Sequence, residues 1–366
     1  MDDLEQRLAT ILREPMDDDG GPPTELTGRI HRAVRVRRVR RRAALVAAVG
    51  GVLALAVAVP LSLRGGDAPT MAHIGPTRTV TPMPGNADID QLLGDSTPLP
   101  MELTPQAVGT DGTVVGFFSD HGVQAFSADG ELTDVGIKSV TGLGAGDGLI
   151  TWTRKTGKSA DQLCRAPNDV DHVISPQGTD PARQIWVDHG VVVGSDVMRQ
   201  PWVAKGCSAP GKVAGTLDAV AFSYPTLFLV DAANDKKLLE YDVDTGYVTV
   251  KHELPEGVRV QTMDKPDQRW YGAATKDHFA WAADGVLRLA ARNALDQVIV
   301  RIKIPQSAKG ARMTAGNRLI AYTTGTESVV LDPATLTTYR LTGSAYAAGD
   351  WLVWSDGSAY QLSRVR

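Results

Sequence analysis

The feature that most constrains what this chain can fold into is a short motif that returns. Ala145-Gly146-Asp147-Gly148-Leu149-Ile150, Ala315-Gly316-Asn317-Arg318-Leu319-Ile320 and Ala348-Gly349-Asp350-Trp351-Leu352-Val353 share the pattern A-G-(D/N)-x-L-(I/V), each with an aromatic residue within two positions. Gly with Asp or Asn supplies tight-turn conformations, and a β-branched and aromatic run fits a packed sheet, so each copy reads as a turn running into a buried strand. With the apolar residue of that strand as a marker, fainter copies fall into line. The markers are Val114, Leu149, Val191, Leu227, Phe279, Leu319 and Leu352, separated by 35, 42, 36, 52, 40 and 33 residues, with the copy at Leu227 the weakest. Repeats also tend to close on a second signal, as in Leu239-Glu240-Tyr241-Asp242-Val243-Asp244-Thr245-Gly246 and Val330-Leu331-Asp332-Pro333-Ala334-Thr335, where a strand runs into a hairpin turn.

A period near 40 with about four short strand signals per unit is that of a β-propeller blade. The expected fold is therefore all-β over residues 99–366, with seven blades and with six or eight as the alternatives. The repeat shape resembles the WD-repeat-like and quinoprotein-like propellers, in which a blade's inner strand is followed by a strand ending in a D-x-x-T-G turn. The last repeat stops at Arg366, too soon for four strands. The resemblance implies ring closure by a strand from the N-terminal end of the domain, for which Pro98 to Val108 is the candidate. Tandem immunoglobulin-like sandwiches run near 100 residues each and would not give this period.

Upstream of the repeats, eight arginines (Arg29, Arg32, Arg35, Arg37, Arg38, Arg40, Arg41 and Arg42) run directly into 21 uncharged residues, Ala43 to Leu63. At 1.5 Å per helical residue this run reaches about 30 Å, the thickness of a bilayer's hydrocarbon core. A buried core helix and a cleaved signal peptide are the rivals, but 42 residues precede the run and it exceeds the usual signal-peptide core. Only Arg64 follows closely on the far side, so the Lys/Arg asymmetry places residues 1–42 in the cytoplasm and the rest outside, on a single-pass anchor. The expected organisation is a cytoplasmic tail at 1–42, a transmembrane helix at 43–63, a disordered Pro/Gly/Thr-rich linker at 64–98 and an extracytoplasmic propeller at 99–366. Arg37, Arg38, Arg40, Arg41 and Arg42 sit at the membrane edge, which suits anionic lipid headgroups better than nucleic acid. The formal net charge is only −4 and the part beyond the anchor is mildly acidic, which gives no argument for nucleic acid there.

Two cysteines occur, Cys164 and Cys207, at 15 and 16 residues after the markers Leu149 and Val191. They hold matching places in neighbouring repeats, in a compartment where oxidation is permitted, so a disulfide is expected, with free buried thiols as the alternative. Metal binding is disfavoured, since neither C-x-x-C spacing nor a paired histidine motif is present. No cofactor is expected. The chain has no G-x-S-x-G elbow, H-E-x-x-H, Walker loop or G-x-G-x-x-G in a strand-to-helix setting. Asp242-x-Asp244-x-Gly246 looks like the start of a calcium loop, but residue 252, where such a loop needs Glu, is His, and a hairpin turn is the better reading. His73, His121, His172, His189, His252 and His278 are scattered at loop-like positions and read as surface residues. Trp152, Trp186, Trp202, Trp270, Trp281, Trp351 and Trp354 fall on strand signals, which favours packing between blades over a sugar-binding face.

In the tail, Leu4, Leu8, Ile11 and Leu12 recur at helical spacing and form one apolar stripe, suited to a partner's groove or to the lipid surface. A second helix is expected after Pro22-Pro23, with Leu26, Ile30, Ala33 and Val34 on one side. Short helical tail, single span, linker and outer domain together resemble bacterial membrane-anchored anti-sigma factors, which implies a sigma factor as the tail's partner. Their His-x-x-x-Cys-x-x-Cys signature is absent from residues 1–42. The Ala/Val/Gly/Arg-rich usage resembles that of actinomycetes. The expected function is a non-catalytic binding or sensing module for a cell-envelope ligand or partner protein. The alternatives are an anti-sigma-like regulator and, last, a propeller hydrolase or lyase, which a polar, acid-lined central pocket would favour.

Overall fold

Runs such as Val191-Val192-Val193, Leu227-Phe228-Leu229-Val230 and Phe279-Ala280-Trp281-Ala282 are apolar at odd and even positions alike. A strand with one wet face alternates, so these strands must be covered on both faces. A computed structural model describes residues 89–366 except 120, 139, 157–158, 168, 175–183, 196–199, 215–216, 232–236, 259–270 and 306–310, together with the short strands Arg78–Thr79 and Met83–Pro84. In it the apolar runs are the second strands of seven antiparallel sheets, which are the seven blades of a propeller.

Blade 1 opens with Leu103–Val108, blade 2 with Thr141–Gly146, blade 3 with Gln184–Asp188 and blade 4 with Leu217–Ser223. Blades 5, 6 and 7 open with Tyr271–Ala274, Arg312–Ala315 and Tyr346–Ala348. These first strands neighbour one another from blade to blade and ring the central axis. Each is followed outward in chain order, so that blade 1, for example, continues through Val114–Phe118 and Gly122–Phe126 to Leu132–Ile137. Six of the seven markers land on the second strand of a blade, and Leu319 immediately precedes its own, Ile320–Thr323. Even the weakest copy, at Leu227, belongs to a second strand, Thr226–Asp231.

Blade 7 has only three strands from the C-terminal end, and Leu93–Pro98 supplies the fourth by pairing antiparallel with Tyr360–Val365. Closure thus works as expected, but the strand responsible lies earlier than the Pro98 to Val108 window. Leu103–Val108 is instead the innermost strand of blade 1. Within the linker expected over 64–98, most of the described residues form strands rather than a disordered tether, and 64–77, 80–82 and 85–88 lie outside the described residues. Arg78–Thr79 adds in parallel to the outer strand of blade 5, Val298–Lys303, and Met83–Pro84 to that of blade 6, Thr337–Thr342. A Pro- and Thr-rich segment lacks the apolar surface for a core of its own, but its backbone can still pair with an exposed sheet edge.

The core is not one mass but seven, each lying between consecutive blades. Residues of one strand divide by parity between its two neighbours: Val114 packs in the blade 7–1 interface with Val353 and Leu362, whereas Val115 packs in the blade 1–2 interface with Leu163. Trp152, Trp202, Trp281 and Trp354 are all buried, each in the interface with the preceding blade, which confirms inter-blade packing for these four. Cys164 and Cys207 form a disulfide with a Cα separation of 5.4 Å, joining the third strand of blade 2 to the turn after the third strand of blade 3. Among the described residues no helix is long and apolar enough to cross a membrane. The expected anchor at 43–63, the arginines before it and the stripe Leu4, Leu8, Ile11 and Leu12 lie outside the described residues.

Candidate functional site

The first strands enclose a channel along the axis, a cavity of about 400 Å³. One end is built by the hairpins between first and second strands, and these hairpins are what the A-G-(D/N) motif encodes. The motif glycine lies against the backbone of the next blade. A Cβ on Gly146 would sit 2.8 Å from the Val187 carbonyl oxygen, and one on Gly316 would sit 2.4 Å from the Gly349 oxygen. The Asp or Asn then reaches a neighbouring turn. Asp111 Oδ2 accepts from the Gly148 amide at 2.8 Å, Asp147 Oδ2 from the Gly190 amide at 2.7 Å, and Asp188 Oδ2 from the Tyr224 amide at 2.9 Å. Asn317 Nδ2 donates to Asp350 Oδ1 at 2.9 Å, and Thr110 Oγ1 donates back to Asp147 Oδ1 at 2.6 Å. Asp111, Asp147 and Asp188 each satisfy a turn amide of the next blade, and Asn317 and Thr110 add side-chain bonds across blades, so these bonds tie neighbouring blades together at the channel mouth.

Along its length the channel is lined by Gln106, Trp186, Asp188, Asp218, Ser223, Tyr271, Arg312, Thr314 and Tyr346 among others. Polar and aromatic groups therefore face a cavity walled by sheet edges, a setting for a small ligand or a peptide tip. Arg312, at the start of blade 6, donates from Nη1 to the Gln106 carbonyl of blade 1 at 3.2 Å, placing a guanidinium beside the blade 7 strand that separates them. Burial pushes the Tyr346 phenol above its ordinary range. Of the two lining carboxylates, Asp188 is committed to the Tyr224 amide and to His189 Nδ1 at 2.8 Å. A cationic side chain shares the lining, so the channel is polar but not acid-lined.

The remaining candidates of the sequence separate from the channel. The Asp242 turn is a hairpin: Asp242 Oδ1 accepts from the amides of Asp244 and Thr245, both at 2.9 Å. Asp244 accepts from Tyr224 Oη at 2.7 Å and pairs with Lys205 at 3.0 Å, and the Tyr224 and Lys205 hydrogen bonds hold its carboxyl below the usual range. His189 is exposed and His172 half-buried, and each is paired with a neighbouring aspartate. His252 departs from expectation. It lies on the strand Tyr247–Glu253, largely buried, 3.1 Å from Glu240, which also takes Arg292 at 2.6 Å. Burial pushes the Glu240 carboxyl up, but the hydrogen bonds from His252 and Arg292 outweigh it and leave the net shift downward. The three residues are far apart in sequence and share no motif, so no pattern in the chain marks them. Among the described residues no three His, Cys, Asp or Glu side chains are placed to hold a metal ion.

No family model matches the chain, and no curated protein matches it. Solved structures do. BamB from Moraxella catarrhalis aligns over 74% of this chain and 87% of its own at 11% identity, with a TM-score of 0.43. The WD40 β-propeller domain of Doa1 aligns over 74% of this chain and 96% of its own at 13% identity and a TM-score of 0.47. PorZ of Porphyromonas gingivalis, a bacterial surface component of the type-IX secretion system, aligns over 75% of this chain and 39% of its own at 10% identity, with a TM-score of 0.49. The likeness to all three is one of fold.

Proposed function

We propose that this chain is a membrane-anchored, extracytoplasmic propeller that binds or senses a cell-envelope ligand or partner protein without transforming it. The channel carries the binding half of this reading, because its polar lining converges on a cavity inside a ring that its own interfaces hold rigid. The arginine-flanked run at 43–63 supports the anchor, and the Cys164–Cys207 disulfide supports an oxidising compartment outside the membrane. Arg312 and Asp218 supply opposite charges at the channel and suit a ligand that carries both an ammonium and a carboxylate, such as an amino acid or a short peptide with both ends free. The test is calorimetric titration of the full chain in nanodiscs with soluble peptidoglycan stem peptides. Saturable binding that weakens about tenfold or more in Arg312→Ala with Asp218→Asn is the expected result. Equal binding by the double variant, or cleavage of the peptide, would contradict a non-catalytic channel site.

A second reading, in which the tail sequesters a sigma factor, is favoured by the stripe Leu4, Leu8, Ile11 and Leu12. It makes the propeller the sensor of a transmembrane regulator. Co-purification of a sigma factor with the full chain, lost in Leu8→Asp with Ile11→Asp, is its expected outcome, and equal recovery with the variant would remove it.

A further inference from the structure

The outer rim of a propeller is where its sheets have unpaired backbone groups to offer. Blades 5 and 6 use theirs on the chain's own N-terminal segment: Arg78 and Thr79 pair with Val300 and Arg301, and Met83 and Pro84 with Tyr339 and Arg340. Blades 2 and 3 end in strands of two residues, His172–Val173 and Gly211–Lys212. Blade 1's outer strand shifts register between Val123 and Gln124 and carries Asp134. Blade 7's carries Asp95, ends at Pro98 and shifts register between Leu93 and Ser96. Tyr247–Glu253 of blade 4 also shifts register, between Glu240 and Tyr241, but it is the longest of these outer strands at seven residues and is flanked by no fifth strand among the described residues.

Two observations mark this edge. Tyr247, Val248 and Val250 are 67%, 40% and 41% exposed, and they make up three of the seven exposed large apolar side chains among the described residues. The register of blade 4 also matches that of blade 5. Across blade 5 the line Ala280, Leu289, Val300 is followed by a shift that leaves Ile299 extra; across blade 4 the line Phe228, Glu240, Val250 is followed by the same shift, leaving Thr249 extra. The place where Arg78–Thr79 adds to blade 5 therefore corresponds to Val250–Lys251 on blade 4.

From this we infer that the outer edge of blade 4 is a β-augmentation site, which takes an extended, uncharged and β-branched segment of a partner polypeptide as a fifth strand over Val250–Lys251. Ladder hydrogen bonds would supply affinity, and Val248 and Val250 would fix the register by cross-strand packing. The chemistry follows from the edge. Lys251 and Glu253 oppose each other in sign and Glu253 is paired with Lys237 at 3.0 Å, so the strand offers no field for a charged segment. A second copy of the chain is disfavoured by area, since a stable pair buries roughly 1,200 Å² or more and one short edge supplies less. This surface is separate from the channel and does not depend on the membrane placement.

The probe is a fluorescein-labelled Thr-Val-Thr-Val-Thr-Val amide, followed by anisotropy against the full chain in detergent micelles. Its control is the same peptide N-methylated at alternate amides. Val248→Lys with Val250→Lys changes two exposed side chains, and its thermal unfolding midpoint shows whether the fold persists. Saturable binding to the wild type is expected, weaker by about tenfold or more both for the double variant and for the methylated peptide. Absence of binding to the wild type, or equal binding in either control, would overturn the inference. So would a concentration-dependent dimer that the double variant dissolves, which would make a second copy the occupant.

Discussion

The interface between blades 2 and 3 and the interface between blades 5 and 6 solve the same packing problem with different means. Among the described residues, 14 buried apolar ones lie between blades 5 and 6, Leu287, Leu289, Ile302 and Leu331 each fully buried. Between blades 2 and 3 there are six among the described residues, of which one is Cys164 and another the small Ala204. At about 25 cal/mol per Å² of apolar surface removed from water, the thinner interface gains much less from burial. It is also the one that carries the disulfide and the Asp147–Gly190 bond. Asp-to-amide links of the same kind also join blades 1 and 2 and blades 3 and 4, so what sets the thin junction apart is its covalent link.

The largest expected effect is removal of the staple. Cys164→Ala with Cys207→Ala frees a 43-residue loop, worth about 4 kcal/mol in the chain-entropy model, read as a lowered urea midpoint. Blades 2 and 3 should then lose hydrogen-exchange protection first, and uniform loss around the ring would break the comparison. Leu289→Ala opens a cavity in the thick interface and should cost about 3 kcal/mol with the disulfide intact, by the same urea assay. Asp147→Ala deprives the Gly190 amide and the Thr110 hydroxyl of their acceptor and should cost about 2 kcal/mol, whereas Asp147→Asn keeps an acceptor and stays near wild type. Asp147 has a φ of 51°, which Asn tolerates and Ala does not.

The smallest effect concerns the blade 4–5 junction, intermediate between the two. Glu240 has a depressed carboxyl pKa, so it contributes stability that is present above the ordinary glutamate pKa and is lost as pH falls through the lower folded value. Urea midpoints should therefore decline below about pH 4.5 in the wild type and decline less in Glu240→Gln, which also loses about 1 kcal/mol at neutral pH. Identical acid limbs would show that Glu240 plays no part in the acid response.

The ring was legible in the sequence because its cause is local. A turn that favours Gly and Asp, followed by a strand buried on both faces, leaves its trace around the ring, and Leu227 and Phe279 carry the strand even where the glycine is missing. The disulfide was legible from equal offsets within two repeats. The strands at 78–79, 83–84 and 93–98 were not, because edge pairing is made by backbone and asks little of side-chain pattern. The channel lining was hidden for a related reason: Asp218, Tyr271 and Arg312 come from first strands of separate blades and meet only when the ring closes. The Glu240, His252 and Arg292 cluster joins two strands of blade 4 to a turn of blade 5 and likewise has no linear signature.

The reading as an extracytoplasmic binding module turns most directly on the redox state of Cys164 and Cys207 in living cells. Acid quenching of intact cells followed by alkylation with a mass-tagged maleimide separates the two states on a denaturing gel. A chain that takes up no tag without reduction and two tags after it is the expected result. Two tags without reduction would place the thiols in a reducing compartment and contradict the placement of the propeller outside the membrane.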